Sequence, residues 1–150
     1  MLRGISPLIS PELLATLSRM GHHDEIVFGD AHFPGESHND CVIRADGLRI
    51  DDLLDAVLPL FELDHVIDTP VMMMGPRQED LADPQIAADY QEIRNGYSEI
   101  VKKHYPECPP IGQIGKYDFY PHTKKAFAVV MTGDTRIYAN LILSKGVTPS

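Results

Sequence analysis

The chain has 150 residues, a formal net charge of −9 at pH 7 and a hydrophobic content of 43%. This length fits one domain, residues 1–150, that buries a core without disulfides or metals. An acidic chain without clustered Lys and Arg is not expected to bind nucleic acid, because phosphate contacts need clustered cations.

No stretch approaches the roughly 18 apolar residues of a membrane span, and the first ten residues lack the apolar core of a signal peptide. Cys41 and Cys108 are far apart and form no CxxC motif, which fits reduced thiols in a reducing compartment. We therefore expect a cytoplasmic protein that does not enter a membrane.

The first elements along the chain are a helix and a buried strand. Residues 10–21 predict a helix with Ser10 as its N-cap, Pro11 in its first position and Gly21 at its end. The run EIVFG, residues 25–29, predicts a strand that follows a turn. A second strand is predicted at 41–47 and a helix at 50–63.

Later segments continue this alternation. Residues 66–76 predict a strand that Pro70 places at an edge or delays, and 75–80 predict a loop. The longest helix is predicted at 83–105, with Asp83 as its cap. Strands are predicted at 111–120, 125–133 and 138–146, the first two joined by a short segment. The alternation predicts an α/β layered domain with helices covering a sheet.

Titratable side chains crowd around both ends of the strand at 25–29. A metal site of His22, His23 and His32 is one alternative, and solvated turn histidines are the other. As neighbours in a turn, His22 and His23 are expected to point in different directions, which disfavours the metal site. Asp30 follows the carboxyl end of the strand, where ligands collect in open α/β sheets. Its carboxylate either accepts a hydrogen bond from a ligand or caps the next turn.

Tyrosines and an amide mark the last third of the chain. They suit a neutral polyhydroxyl ligand, since they offer ring faces, hydroxyls and an amide that both donates and accepts. The alternative is a set of core tyrosines with satisfied hydroxyls. Neither GxSxG, GxxxxGK[ST] nor GxGxxG occurs in the sequence. The residues concerned are Lys116, Tyr117, Tyr120, His122, Tyr138 and Asn140.

Several motifs resemble those of the D-ribose pyranase and L-fucose mutarotase family, and the fucose branch in particular. They are GISPLISPELLATLSRMGHHDEIVFGDAHFP, VIRADG, DLLDAVLPLFELD, KAFAVVMTG and YANLILSKGVTP. The resemblance implies a three-layer α/β/α domain with a central mixed sheet. It also implies an isomerase that interconverts anomers or ring forms of a monosaccharide, most closely L-fucose, without a cofactor or metal. Members form ring-shaped homo-oligomers, usually decamers, with sites near subunit contacts.

The resemblance also assigns roles to residues of this chain. It places the catalytic histidine on His22 and a second proton carrier on Tyr120. Histidine suits proton transfer at neutral pH because its pKa lies near working pH. The implied sugar-binding residues are Asp30, Lys116, Tyr138, Ala139 and Asn140.

Three positions depart from the fucose branch. Lys116 stands where that branch usually has arginine, and lysine cannot make a forked planar contact. His23 stands where glycine is frequent, and we expect it to be solvated; His122 is an expected intruder on the pocket. The change at Lys116 motivates an alternative function, a monosaccharide-binding accessory protein of a transport or catabolic operon without significant catalysis.

Overall fold

A computed structural model describes all 150 residues and contains a six-stranded mixed sheet. The strands are β1 (Glu25–Gly29), β2 (Val42–Ala45), β3 (Val71–Met74), β4 (Gly112–Ile114), β5 (Ala128–Thr132) and β6 (Leu141–Ser144), in the order β2-β5-β1-β6-β3-β4. β6 is antiparallel to both of its neighbours, β1 and β3, and the remaining pairs are parallel.

Six helices surround this sheet: α1 (Pro11–Arg19), α2 (Gly35–His38), α3 (Ile50–Val57), α4 (Gln78–Leu81), α5 (Pro84–His104) and α6 (Lys116–Lys125). The larger core cluster joins α1, α3 and α5 to one face of the sheet, and a smaller cluster around Phe33 and Phe119 covers the other. This confirms the expected α/β/α arrangement with a mixed central sheet. None of the helices combines the length and apolarity that crossing a membrane requires.

The predicted helix starts are confirmed by their caps. The Ser10 hydroxyl accepts a hydrogen bond from the Leu13 amide at 3.1 Å, and the Asp83 carboxylate accepts one from the Gln85 amide at 2.9 Å. The predicted end of α1 is different. The helix stops at Arg19, and the left-handed residue in the following turn is His23, with φ of 72°, rather than Gly21.

The strand predicted at 111–120 is wrong beyond Ile114. Gly115 precedes helix α6, which includes Tyr117 and Tyr120, and α6 also supplies the segment that was expected to join two strands. The apolar residues of KYDFY alternate as in a strand, but Phe119 and Thr123 share one helix face and are both buried. The segment 75–80, predicted as a loop, contains the start of α4. Pro70 delays β3 without placing it at an edge, since β3 pairs with β4 and β6.

Candidate functional site

A cleft of about 280 Å³ opens where β1 and β3 end and β6 begins. This volume lies just below the roughly 300–1,000 Å³ that small-molecule sites span, so the cleft suits only a small ligand. Of the residues predicted from the sequence, the cleft brings together Asp30, Lys116, Tyr120, Tyr138 and Asn140. The other wall residues are His32, Phe33, Pro34, Met74, Asp80, Ile86 and Ile137.

Asp30 and Asn140 form the floor of this cleft. The Asp30 amide donates to Asn140 Oδ1 at 2.8 Å, which fixes the side-chain amide. One N–H of Asn140 Nδ2 contacts Met74 Sδ at 3.8 Å, and the other remains as a donor. Asp30 Oδ1 accepts from the His32 amide at 3.0 Å, so this carboxylate does cap the next turn. Burial raises the pKa of the Asp30 carboxyl above its usual range, although backbone N–H groups oppose the shift. The pair offers an acceptor and a donor to a polar ligand.

Tyr138 adopts a left-handed backbone, with φ of 61°, which is rare for a residue with a side chain and typical of strained functional positions. Its hydroxyl donates to the Asp80 carboxylate, which also binds Arg77 Nε at 3.0 Å. Arg77 and then Tyr138 hold the pKa of Asp80 below its usual range. Asp80 is a wall residue that the sequence analysis missed, because its short helix lacks a periodic pattern.

Helix α6 contributes Lys116 and Tyr120 to the cleft. Lys116 occupies the first position of the helix and adds a positive charge to a wall that also contains Asp80. The Tyr120 ring stacks on His38, with centroids 4.7 Å apart and planes at 28°. His38 is in turn held by the Pro34 carbonyl, 2.8 Å from its Nδ1. Tyr120 is therefore fixed by packing on the α2 segment.

Ala139 lies behind the wall of the cleft, between Tyr138 and Asn140. It is fully buried, and its carbonyl accepts a hydrogen bond from the Tyr97 hydroxyl at 2.7 Å. Its backbone N–H contributes to the environment of the Asp30 carboxylate. Ala139 thus positions its neighbours Tyr138 and Asn140.

His22 does not join the other predicted site residues within one protomer. It precedes β1, whereas Asp30 follows it, and the five residues of β1 span about 16 Å at the usual rise per residue. His22 Nε2 lies 3.4 Å from Asp64 Oδ2 instead. The expectation that both ends of this strand frame one pocket is therefore not met by a single copy of the chain.

The remaining histidines are also separated. His32 lies at the cleft, so the alternative metal site of His22, His23 and His32 does not form in one protomer. His23 is largely exposed as expected, but its Nδ1 lies 2.7 Å from Asp64 Oδ2. His122 binds Glu25 at 2.8 Å and is not part of the cleft wall. The sequence predicts His32 only as a metal ligand, although its position two residues after Asp30 places it at the same strand end.

Asp64 is a buried acid beside His22 and His23, at the end of the sheet opposite the cleft. Burial alone would raise its pKa, but the Val66 amide and the two imidazoles outweigh burial and leave the pKa below its usual range. Val66 N–H donates to Asp64 Oδ1 at 3.0 Å. A carboxylate held in this way can orient the histidine rings that contact it.

Comparison with known proteins identifies the family of this chain. The model of the RbsD / FucU transport protein family matches residues 3–148. The crystal structure of a fucose mutarotase from Streptococcus pneumoniae in complex with L-fucose is 39% identical, with a TM-score of 0.88 and coverage of 99% of this chain and 100% of that chain. FucU from Bifidobacterium longum is 36% identical, with a TM-score of 0.88 and coverage of 98% and 100%.

A more distant structure shares the fold alone. It is RbsD from Bacillus subtilis complexed with D-ribose, 24% identical with a TM-score of 0.68 and coverage of 99% of this chain and 100% of that chain. Together the matches confirm the family resemblance stated from the motifs. They also confirm, at the level of the family, the expected enzyme class, a sugar isomerase of the mutarotase type.

Proposed function

Because the chain belongs to the RbsD / FucU family, we propose that it is an L-fucose mutarotase that interconverts the sugar's anomers without a cofactor. The observation that carries this proposal is the cleft in which Asp30, Asn140 and Tyr138 meet Lys116 and Tyr120. These side chains match the needs of a neutral polyhydroxyl ligand, and a relative with 39% identity was crystallised with L-fucose.

The reaction requires two proton transfers. Opening of the hemiacetal removes a proton from the anomeric hydroxyl and supplies one to the ring oxygen, and closure on the other face of the carbonyl reverses both transfers. Groups that titrate near working pH or donate a hydroxyl proton are suited to these steps. We assign His22 as the main proton-transfer residue and Tyr120 as its partner, with Asp30, Asn140, Tyr138 and Lys116 holding the sugar hydroxyls.

This assignment requires more than one copy of the chain. Within a protomer, β1 separates His22 from the cleft, so both can act on one sugar only if His22 of one copy approaches the cleft of another. We therefore propose a ring-shaped homo-oligomer, a decamer as in the family, with the sites between subunits. Closed rings arise when each copy presents one surface to a different surface of its neighbour.

We further propose that the protein works in the cytoplasm. The free cysteines, Cys41 and Cys108, form no disulfide with each other, which fits a reducing compartment.

The alternative function is that of a monosaccharide-binding protein without significant catalysis. It is favoured by the same geometry, since one protomer carries the binding side chains but not His22. It is also favoured by Lys116, because lysine cannot reproduce the forked contact of arginine.

One experiment separates the two functions. NMR saturation transfer between the anomers of L-fucose, with D-ribose, D-galactose and L-rhamnose in parallel, measures exchange directly. Protein-dependent exchange of L-fucose supports the mutarotase. Exchange at the rate in water for every sugar, together with thermal stabilisation by L-fucose, would favour the binding protein and overturn the enzyme.

A further inference from the structure

Three side chains of types that can ligate a metal, His22, His23 and Asp64, meet at the end of the sheet opposite the cleft. Asp64 Oδ2 lies 2.7 Å from His23 Nδ1 and 3.4 Å from His22 Nε2. One donor atom from each residue lies within 4.8 Å of the other two. The rings of His22 and His23 stack with centroids 3.7 Å apart, so both present a nitrogen to the same carboxylate oxygen.

The backbone holds this arrangement in place. His23 is left-handed, with φ of 72°, and its amide donates to the Lys145 carbonyl at 2.9 Å at the end of β6. A left-handed residue with a large side chain persists only where its surroundings enforce it. The turn therefore brings neighbouring histidines to one side, whereas the sequence suggests that they point apart.

Asp64 supplies a pre-oriented anionic ligand. Its side chain is fully buried, and the Val66 amide donates to Oδ1 at 3.0 Å, which leaves Oδ2 turned toward the histidines. Carboxylates that bind metal ions are typically held by hydrogen bonds of this kind. Within one protomer the His22 and His23 rings are 37% and 61% exposed, and His23 is the more open side from which an ion can reach the site.

The donor set selects the class of ion. Two imidazole nitrogens and a carboxylate oxygen suit Zn²⁺, Ni²⁺ or Cu²⁺, whereas Mg²⁺ and Ca²⁺ prefer oxygen ligands alone. Bonds of 2.0–2.2 Å in tetrahedral geometry place neighbouring ligand atoms roughly 3.3 Å apart. The separation between His22 and Asp64 already matches this value, and that between His23 and Asp64 must open by about 0.6 Å from its 2.7 Å.

We infer that His22, His23 and Asp64 form an inhibitory site for a divalent transition-metal ion such as Zn²⁺, with its remaining coordination positions open to water. The ion is bound by His22 Nε2, so that this nitrogen no longer carries a proton. His23 is the residue that completes the site. The inhibitory effect rests on the proposed role of His22, whereas binding of the ion does not.

The binding test uses the full-length protein without a polyhistidine tag, freed of metal by chelation. Zn²⁺ titration by isothermal calorimetry is expected to show one ion per chain. His23→Gly, which tolerates the left-handed backbone, is expected to weaken binding at least about tenfold. His65→Ala removes an exposed histidine beside Asp64 and is expected to bind as the wild type does. Equal Zn²⁺ affinity in wild type and His23→Gly, or no binding to either, would overturn the site.

Spectroscopy and activity provide independent readouts. Co²⁺ bound to the wild type is expected to give visible d–d bands of nitrogen–oxygen coordination that His23→Gly lacks. Zn²⁺ is expected to suppress L-fucose exchange by the wild type and to spare that by His23→Gly, whose exchange without metal is unchanged. Binding without inhibition would refute the capture of His22. A protein that shows no exchange in any form would refute the proposed function while calorimetry and Co²⁺ spectra still decide the metal site.

Discussion

His22 and Asp30 flank the same strand from opposite ends. β1 between them pairs with β5 on one side and β6 on the other, and Ile26, Val27 and Phe28 are fully buried. A central strand with both neighbours in place cannot shorten or bend locally without disrupting the core. The distance between the proposed proton carrier and the sugar-binding carboxylate is therefore fixed within each copy.

Complementation between inactive variants follows from this separation. We expect His22→Ala and Asp30→Asn each to lose exchange activity and mixed oligomers to regain about a quarter of the wild-type rate, because random assembly leaves that share of shared sites intact. The measurement is L-fucose anomer exchange after co-expression of the two chains. Mixtures of His22→Ala with His22→Gln are the control and stay inactive. Verified mixed oligomers without activity would show that the sites are not shared.

His22→Ala alone tests the proton carrier. We expect exchange to fall by about 10²-fold or more, the usual contribution of a general acid–base group. Circular dichroism is expected to match that of the wild type, since His22 is exposed within a protomer and lies outside the core. The oligomeric state is measured separately, because the proposal places His22 at a subunit contact. The matched control is His65→Ala, which keeps full activity. Wild-type exchange in the His22 variant would eliminate this residue as the proton carrier.

Tyr120→Phe separates proton transfer from stacking. Phenylalanine keeps the ring that packs on His38 and Phe33 but removes the hydroxyl. If the hydroxyl carries a proton, kcat falls by about 10- to 100-fold while KM changes little. Steady-state exchange rates over a range of L-fucose concentrations provide the measurement. A rise in KM at constant kcat would instead make Tyr120 a binding residue.

Substitutions of Lys116 separate the effect of its charge on sugar binding from the effect of its shape. We expect Lys116→Arg to retain or improve exchange, since arginine keeps the charge and adds a planar fork. Lys116→Met loses the charge-assisted contact and weakens sugar binding by about tenfold. L-fucose titrations followed by thermal shift measure both. Equal affinity of the methionine variant and the wild type would place Lys116 outside sugar recognition.

Asp134 governs stability rather than catalysis. Its carboxylate accepts from the Ile50 amide at 3.2 Å and from Arg136 Nε at 2.9 Å, and it is almost wholly buried. Burial raises its pKa, but the Arg136 contacts outweigh burial and leave the pKa below its usual range. The unfolded state therefore binds the proton more readily than the folded state does. Asp134 stabilises the fold above the unfolded-state pKa, and this contribution disappears as pH falls through the lower folded-state pKa.

We expect Asp134→Asn to lower the free energy of unfolding at pH 7 by about 1.5–3 kcal/mol, the range for hydrogen bonds to charged groups. The deficit shrinks as pH falls below about 4. Urea denaturation at one protein concentration and several pH values measures it. Asp46→Asn, which breaks an exposed ion pair with Arg44, is the control and changes stability little. A deficit that is independent of pH would refute the electrostatic origin.

Local patterns predict part of this molecule well. Asp30 follows the carboxyl end of one apolar strand, and Asn140 precedes the start of another. These two strands are antiparallel neighbours, so both residues lie at the same end of the sheet. Helix α6 was missed because Tyr117 and Phe119 alternate like strand residues, and only packing of Phe119 with Thr123 shows the helical face. Asp80 enters the cleft through its contact with Tyr138, a pairing across 58 residues that no local pattern encodes. The partner of His22 is likewise set by tertiary contacts, since Asp64 follows a different helix.

The hydrogen bond from Tyr97 to the Ala139 carbonyl ties the loop of the cleft to helix α5 on the other side of the sheet. Tyr97 is completely buried, so this bond breaks only when the helix leaves the core. The Ala139 carbonyl is therefore expected to stay in place until the core opens, whereas the short helix α4 with Asp80 is expected to open locally and to exchange its amide hydrogens fast. The cleft therefore has one wall anchored to the core through Tyr97 and another formed by the four-residue helix α4.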